Sequence, residues 1–166
     1  MNTATTIAEP TLAQPTRRRN FLRWALAIGG GFVLIVVALF GFMLFRMSYV
    51  PANLDLSTTQ LSNQGVYQVS YSPRRGPIVI NQIHSWTIHV ETADGQPVTD
   101  AAIAVDGDMP QHGHGLPTRP EVTKNLGNGD YLVEGMKFHM GGWWVVDFTI
   151  DAHGKQDTVR FNMTLK

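Results

Sequence analysis

The 166-residue chain contains no cysteine, which excludes disulfides, thiolate metal sites and cysteine nucleophiles. Charge is sparse too: 16% of the residues are charged, and 13 basic side chains balance 13 acidic ones. A chain with no excess of positive charge lacks the electrostatic footprint of a nucleic-acid binder. There is no phosphate-cradling glycine loop, no internal repeat, no serine in a nucleophile elbow and no paired catalytic carboxylates, so the chain is not expected to be an enzyme. The chemistry available comes from six histidines, seven methionines, carboxylates and hydroxyls.

Charge is absent most conspicuously from one place. Arg17, Arg18, Arg19 and Arg23 are followed by a run from Trp24 to Phe45 without a single charged residue. About 20 apolar residues rising about 1.5 Å each cross a hydrocarbon core of about 30 Å. A cleaved signal peptide has a shorter apolar region ending at a small-x-small site, whereas this run ends in Phe42-Met43-Leu44-Phe45-Arg46. A retained transmembrane helix is therefore expected over residues 21–46. Four arginines on the N-terminal flank against Arg46 alone on the other place the N-terminus in the cytoplasm. Residues 1–20, rich in Thr, Ala, Pro and Gln, read as a disordered cytoplasmic tail.

Residues 47–65 lose hydrophobicity without a helical period and read as a linker. Beyond them the pattern has period two. Tyr67, Val69 and Tyr71 alternate with polar residues, as do Trp86, Ile88 and Val90, and Ala101, Ile103 and Val105 continue the pattern. Trp144, Val146, Phe148 and Ile150 face one way against Val145, Asp147, Thr149 and Asp151; Val159, Phe161, Met163 and Leu165 follow. Such alternation predicts antiparallel sheet with one buried face. Asp94-Gly95, Asn128-Gly129 and His153-Gly154 supply hairpin turns between the runs. About seven short strands over 66–166 predict an all-β, immunoglobulin-like antiparallel β-sandwich preceded by one transmembrane helix.

Sheet geometry leaves one stretch unexplained, Asp106 to Pro120, which is expected to be a long loop and hence a candidate site. It holds Met109, His112 and His114. In locally extended backbone a His-x-His pair projects both imidazoles to one side, which suits capture of one metal ion. A second cluster, Met136-Lys137-Phe138-His139-Met140, ends at Gly141-Gly142. Met136, Phe138 and Met140 share an inward parity, and His139 takes the outward one. Imidazole with thioether and no thiolate favours copper, Cu(I) above all; zinc fits instead if Asp106, Asp108 or Glu121 completes the shell. The expected ligands are His112, His114, Met109, His139 and Met140. His84, His89 and His153 read as strand and turn residues, and Met163 as core.

The stretches MPQHGHGLPTRPEV and GDYLVEGMKFHMGGWWVVDFTI resemble the YtkA-like domain, an immunoglobulin-like module of bacterial membrane and cell-envelope proteins. The layout, one membrane helix before a small β domain, is similar to that of the FixH family associated with terminal oxidase biogenesis. In the family the turn usually reads Met-Pro-Gly-x-Trp, and here Gly141 stands in place of the proline. The resemblance, over Tyr67 to Leu165, implies fold and an inner-membrane, periplasm-facing location rather than a mechanism. Three readings follow: a copper-handling module that hands its ion to a membrane partner, a metal-free assembly subunit of a membrane respiratory complex docking through the loop and an exposed Trp143, and a binder of a small organic ligand between the sheets. The arginine asymmetry generates a direct check. A reporter active only outside the cytoplasm, fused after Lys166, is expected to be active, and activity of a cytoplasm-only reporter at the same position would reverse the orientation.

Overall fold

A computed structural model describes residues 16–166. Most of the tail expected over 1–20 thus lies outside the described residues. The helix α1 spans Thr16–Ser48, longer at both ends than the expected 21–46, and its segment Asn20–Met47 is long and apolar enough to cross a membrane. Its large side chains are exposed all round, Phe21, Trp24, Leu34 and Phe45 among them. A helix apolar on every face with no protein cover is suited to lipid rather than to a core. A second compact unit spans Met47–Lys166.

That unit is a two-layer antiparallel sandwich of nine strands: β1 (Thr59–Leu61), β2 (Tyr67–Pro73), β3 (Ile83–Thr92), β4 (Ala102–Met109), β5 (His114–Gly115), β6 (Glu121–Gly127), β7 (Asp130–Lys137), β8 (Gly142–Ala152) and β9 (Lys155–Leu165). One sheet has the order β1-β2-β3-β7-β6 and the other β5-β4-β8-β9. The order β2-β3-β7-β6 over β4-β8-β9 is the ABED and CFG arrangement of an immunoglobulin constant-type domain. The two strands beyond the expected seven, β1 and β5, have three and two residues, too few for alternation to be visible. β1 lies inside the segment read as linker.

Two hairpins form where two-residue turns were expected. Asn128 and Gly129 (φ 52° and 79°) join β6 to β7, and His153 and Gly154 (φ 53° and 71°) join β8 to β9. Both central residues in the left-handed region match the twist of the flanking strands. The inward sets of β2, β3, β8 and β9 are buried as the alternation requires, except Leu165 at the end of β9, which is half-buried.

The interior is organised by aromatic rings in series. Tyr71 stacks on Trp86 with centroids 4.7 Å apart, Trp86 lies 6.0 Å from Phe138, and Phe138 meets Trp144 edge-on at 5.2 Å. Phe161 contacts Tyr71 and Phe148. Offset and edge-to-face pairs of this kind contribute about 0.5–1.5 kcal/mol each beyond area burial. They pack between the two sheets.

Polar anchors close the opposite end and the flank. The Tyr67 hydroxyl lies 2.8 Å from the carbonyl oxygens of both Ala152 and Lys155 and shares its one proton between them, pinning the β8–β9 turn. Buried Asp157 accepts backbone N–H bonds from Gln64 (2.9 Å), Val66 and Thr158, tying the β1–β2 turn to β9. Val145, expected on the outer face, is nevertheless buried. Asn162, directly across from it on β9, donates to the Asp55 carbonyl at 3.2 Å, so the segment before β1 is fastened to this outer face.

Trp144→Ala removes a fully buried indole and is expected to cost about 3–5 kcal/mol, read as a large drop in denaturant midpoint; a midpoint near the parent's would contradict the core position. The Asp157 carboxyl feels burial, which alone would raise its pKa, but hydrogen bonds from Ser62, Gln64, Thr158 and Val66 outweigh it and hold the pKa below the ordinary value. Its contribution to stability is therefore complete above the unfolded carboxyl pKa of about 3.9 and is lost as pH falls through the lower folded value. Asp157→Asn should be less stable than the parent at neutral pH, with the gap in Tm narrowing below about pH 4; a gap independent of pH would show that the carboxylate charge contributes nothing.

Candidate functional site

The stretch expected to be one long loop is mostly a hairpin. β4 continues through Met109, the chain turns over Pro110–Gly113, and β5 pairs back with Asp108 opposite Gly115 and Met109 opposite His114. Proline at the second turn position has its φ set in advance, and the N–H groups of His112 and Gly113 both donate to the Met109 carbonyl at 2.9 Å. The missed signal is Gly107. It continues the inward parity of Val105 and Met109, but a Cβ there would stand 2.8 Å from the Val145 carbonyl oxygen, so only glycine fits the strand. Read as a loop residue, it hid the second half of β4.

The second segment is shaped by a bulge. Tyr131 and Val133 face inward on β7, then Met136 and Phe138 do, and Gly135 between them has φ 87°. One extra residue in the left-handed region shifts the parity of everything after it. The chain leaves the sheet after Lys137. Asn81 N–H donates to the Phe138 carbonyl at 2.7 Å, and Trp144 Nε1–H donates to the Met140 carbonyl at 3.0 Å. These bonds fix the link to β8. His139 consequently does not point outward as on a strand; it is half-buried, edge-on to Trp144 at 5.4 Å.

The two segments meet at one end of the sandwich. His112 and His114 lie with ring centroids 6.1 Å apart and nearly parallel, and His114 meets His139 edge-on at 5.9 Å. With metal–nitrogen bonds of about 2.0 Å, two imidazoles on one ion have centres roughly 5–6 Å apart. His139 Nδ1 and Gln111 Nε2 are buried without a hydrogen-bond partner, which is costly unless a further group completes them. Met140 is half-buried at the margin of the core, and Met109 is fully buried within it. Among the described residues, however, no group of three or more His, Asp or Glu side chains is arranged to hold a metal ion. The imidazoles touch in series rather than surrounding one point.

The other candidates lie elsewhere. Asp106 and Asp108 alternate with inward Gly107 and Met109, and so sit on the outer face, where Asp147 stands opposite Asp106 and is held by Arg160 at 2.8 and 2.7 Å. Burial and the neighbouring Asp147 and Asp106 raise the Asp108 pKa against the pull of Arg160. Glu121 is exposed at the start of β6. None of the three carboxylates joins the imidazoles. His89 is 2.7 Å from Asp130, His153 is 3.1 Å from Asp100, and buried His84 is 2.8 Å from the Val79 carbonyl. Trp143, expected to be exposed, is half-buried and donates to Asn162 at 3.1 Å. A cleft of about 450 Å³ at the far end is lined by Gln64, Tyr67, Asp94, His153 and Lys155 among others.

The polypeptide enters the sandwich at the imidazole end. Tyr71 N–H donates to the Thr58 carbonyl at 3.0 Å, and β1 then runs antiparallel to β2 toward the far end.

Comparison with known proteins bears on the whole of this region. Residues 62–149 match the family model described as YtkA-like, a span that contains all five expected ligands. No curated protein matches. Among solved structures the chain is similar to a DUF4426 family protein from Pseudomonas aeruginosa PAO1, at 16% identity and TM-score 0.47, over 66% of this chain and 96% of that one. It is also similar to the ZirS C-terminal domain, at 14% identity and TM-score 0.34, over 69% and 82%.

Proposed function

For this chain, which belongs to the YtkA-like family, we propose the role of a membrane-tethered metal-binding module that takes up copper at the imidazole end of its sandwich. The supporting observation is the meeting of His112, His114 and His139 from two segments about 25 residues apart, together with the unpartnered buried Nδ1 of His139. His114 is exposed and His112 half-buried, in a turn held by backbone bonds, so their rings are free to swing about χ1 and χ2 onto an ion that His139 holds from below. Three imidazoles with the Met140 thioether alongside form a borderline-to-soft donor set without carboxylate, which suits copper better than magnesium or calcium. Met109, packed in the core opposite His114, supplies the floor and would ligate only with a shift of its side chain.

The chain's own residues bind and release the ion; no substrate chemistry is asked of them. The apolar helix and the arginine asymmetry support a membrane tether with the Arg-rich N-terminus in the cytoplasm and the sandwich on the periplasmic side, where the proposed ion would pass to a membrane-embedded acceptor. That no group of three ligands is preset among the described residues suits a second reading, in which the same end is a metal-free docking face of an assembly subunit.

Copper titration of the purified chain separates the two. The parent should bind one equivalent, with quenching of the Trp144 emission beside His139, and binding should weaken in acid because protonated imidazole does not ligate. His112→Ala with His114→Ala should cost at least the roughly 10–100-fold that loss of a supporting group costs a metal site, whereas His153→Ala should be neutral. Equal affinity of the double variant and the parent would leave the docking reading in its place.

A further inference from the structure

The imidazole end carries a second feature that metal binding does not use. The β2–β3 loop, Arg74-Arg75-Gly76-Pro77-Ile78-Val79-Ile80-Asn81-Gln82, is apolar at its tip and basic at its base. It is a built structure rather than a slack connection. Arg74 N–H donates to the Ser85 carbonyl at 2.9 Å, and Asn81 N–H to Phe138; the buried His84 ring lies against the Val79 carbonyl at 2.8 Å. Ile78 packs on the core, and Ile80 reaches the backbone at Gly141. With its neighbours turned inward, Val79 is held outward at 43% exposure, and Ile83 just beyond is 69% exposed. One exposed aliphatic side chain is ordinary on a protein surface; here two, Val79 and Ile83, stand on a hydrogen-bonded loop beside basic side chains.

Charge identifies the partner. From Ser72 to Val90 there are two arginines and no acidic residue, and Lys137 stands directly opposite Ile83 across the sheet. The far end has the other sign: Glu91, Asp94, Asp100, Asp130, Asp151 and Asp157 lie at or beside its turns, against Lys155. Asp108 beside the β4–β5 turn and the Glu121 and Glu134 pair lie toward the imidazole end as well, but the β2–β3 loop with Lys137 across from it forms a local patch that is basic and apolar. Basic side chains flanking exposed aliphatic ones match the bilayer interface, where phosphates lie outside the acyl boundary.

We propose that the β2–β3 tip is a lipid-contact surface, with Val79 and Ile83 entering the interfacial layer of the bilayer while Arg74, Arg75 and Lys137 pair with anionic headgroup phosphates. Docking in this way would hold the imidazole end toward the membrane.

The absence of native cysteine allows a direct test without copper. The full chain carrying Val79→Cys, or Asp94→Cys at the far end, is labelled with an environment-sensitive fluorophore. It is then reconstituted in phosphatidylcholine vesicles with or without phosphatidylglycerol, with bromine-bearing acyl chains as quencher. The label at 79 should be quenched and blue-shifted in the anionic vesicles and the label at 94 should not. Arg74→Gln and Arg75→Gln should each lower the docked-to-free ratio by about five-fold, the effect of one basic side chain near an anionic surface. A water-exposed label at 79 in both lipids, equal quenching in both, or a signal that follows protein density rather than lipid composition would overturn the proposal; the last would make a second copy the occupant.

Discussion

The Trp144 indole joins the core to the site. Its ring is fully buried, edge-on to Phe138 on one side and to His139 on the other, and its Nε1–H holds the Met140 carbonyl. Removing the indole would leave a large cavity, an unpaired carbonyl and a loosened link between β7 and β8. The position of His139, and through it the contact with His114, thus depends on the same packing that stabilises the sandwich. A site built this way inherits the rigidity of the core.

The ring series also stands where a sandwich of this topology often carries a covalent link. In antibody domains a disulfide joins the strands equivalent to β3 and β8. This chain has no cysteine, and those two strands instead contribute Trp86 and Trp144, bridged by Phe138 from the link after β7. Aromatic packing does the cross-bracing by dispersion and burial, so the fold is independent of redox conditions.

The two ends of the sandwich are specialised differently. At the far end Tyr67 and Asp157 satisfy backbone groups of neighbouring turns, and acidic side chains take up His89 and His153. At the end where the chain enters, the imidazoles face one another without acidic partners, and an unpaired ring nitrogen lies buried. Buried polar groups are normally satisfied within a protein, and the turns at the far end meet that rule while His139 Nδ1 at the other end does not.

Short-range pattern carried the architecture into the sequence. An uncharged run long enough to cross a bilayer, period-two alternation in β2, β3, β8 and β9, and two-residue turns at Asn128-Gly129 and His153-Gly154 are all local, because side-chain direction and turn conformation are set within a few residues. His112 and His114 were equally legible as residues that no packing pattern requires, whereas the outward parity read for His139 gave no sign of its packing on Trp144. What local pattern does not contain is which segments become neighbours. The extension of β4 through Gly107 depends on how closely the Val145 carbonyl approaches. The inward shift after Gly135 depends on a bulge, and the burial of Val145 lies on a face to which the segment before β1 is fastened. The meeting of the three imidazoles was decided in the tertiary structure alone, because strand order and sheet stacking bring together residues whose separation along the chain carries no information about their separation in space.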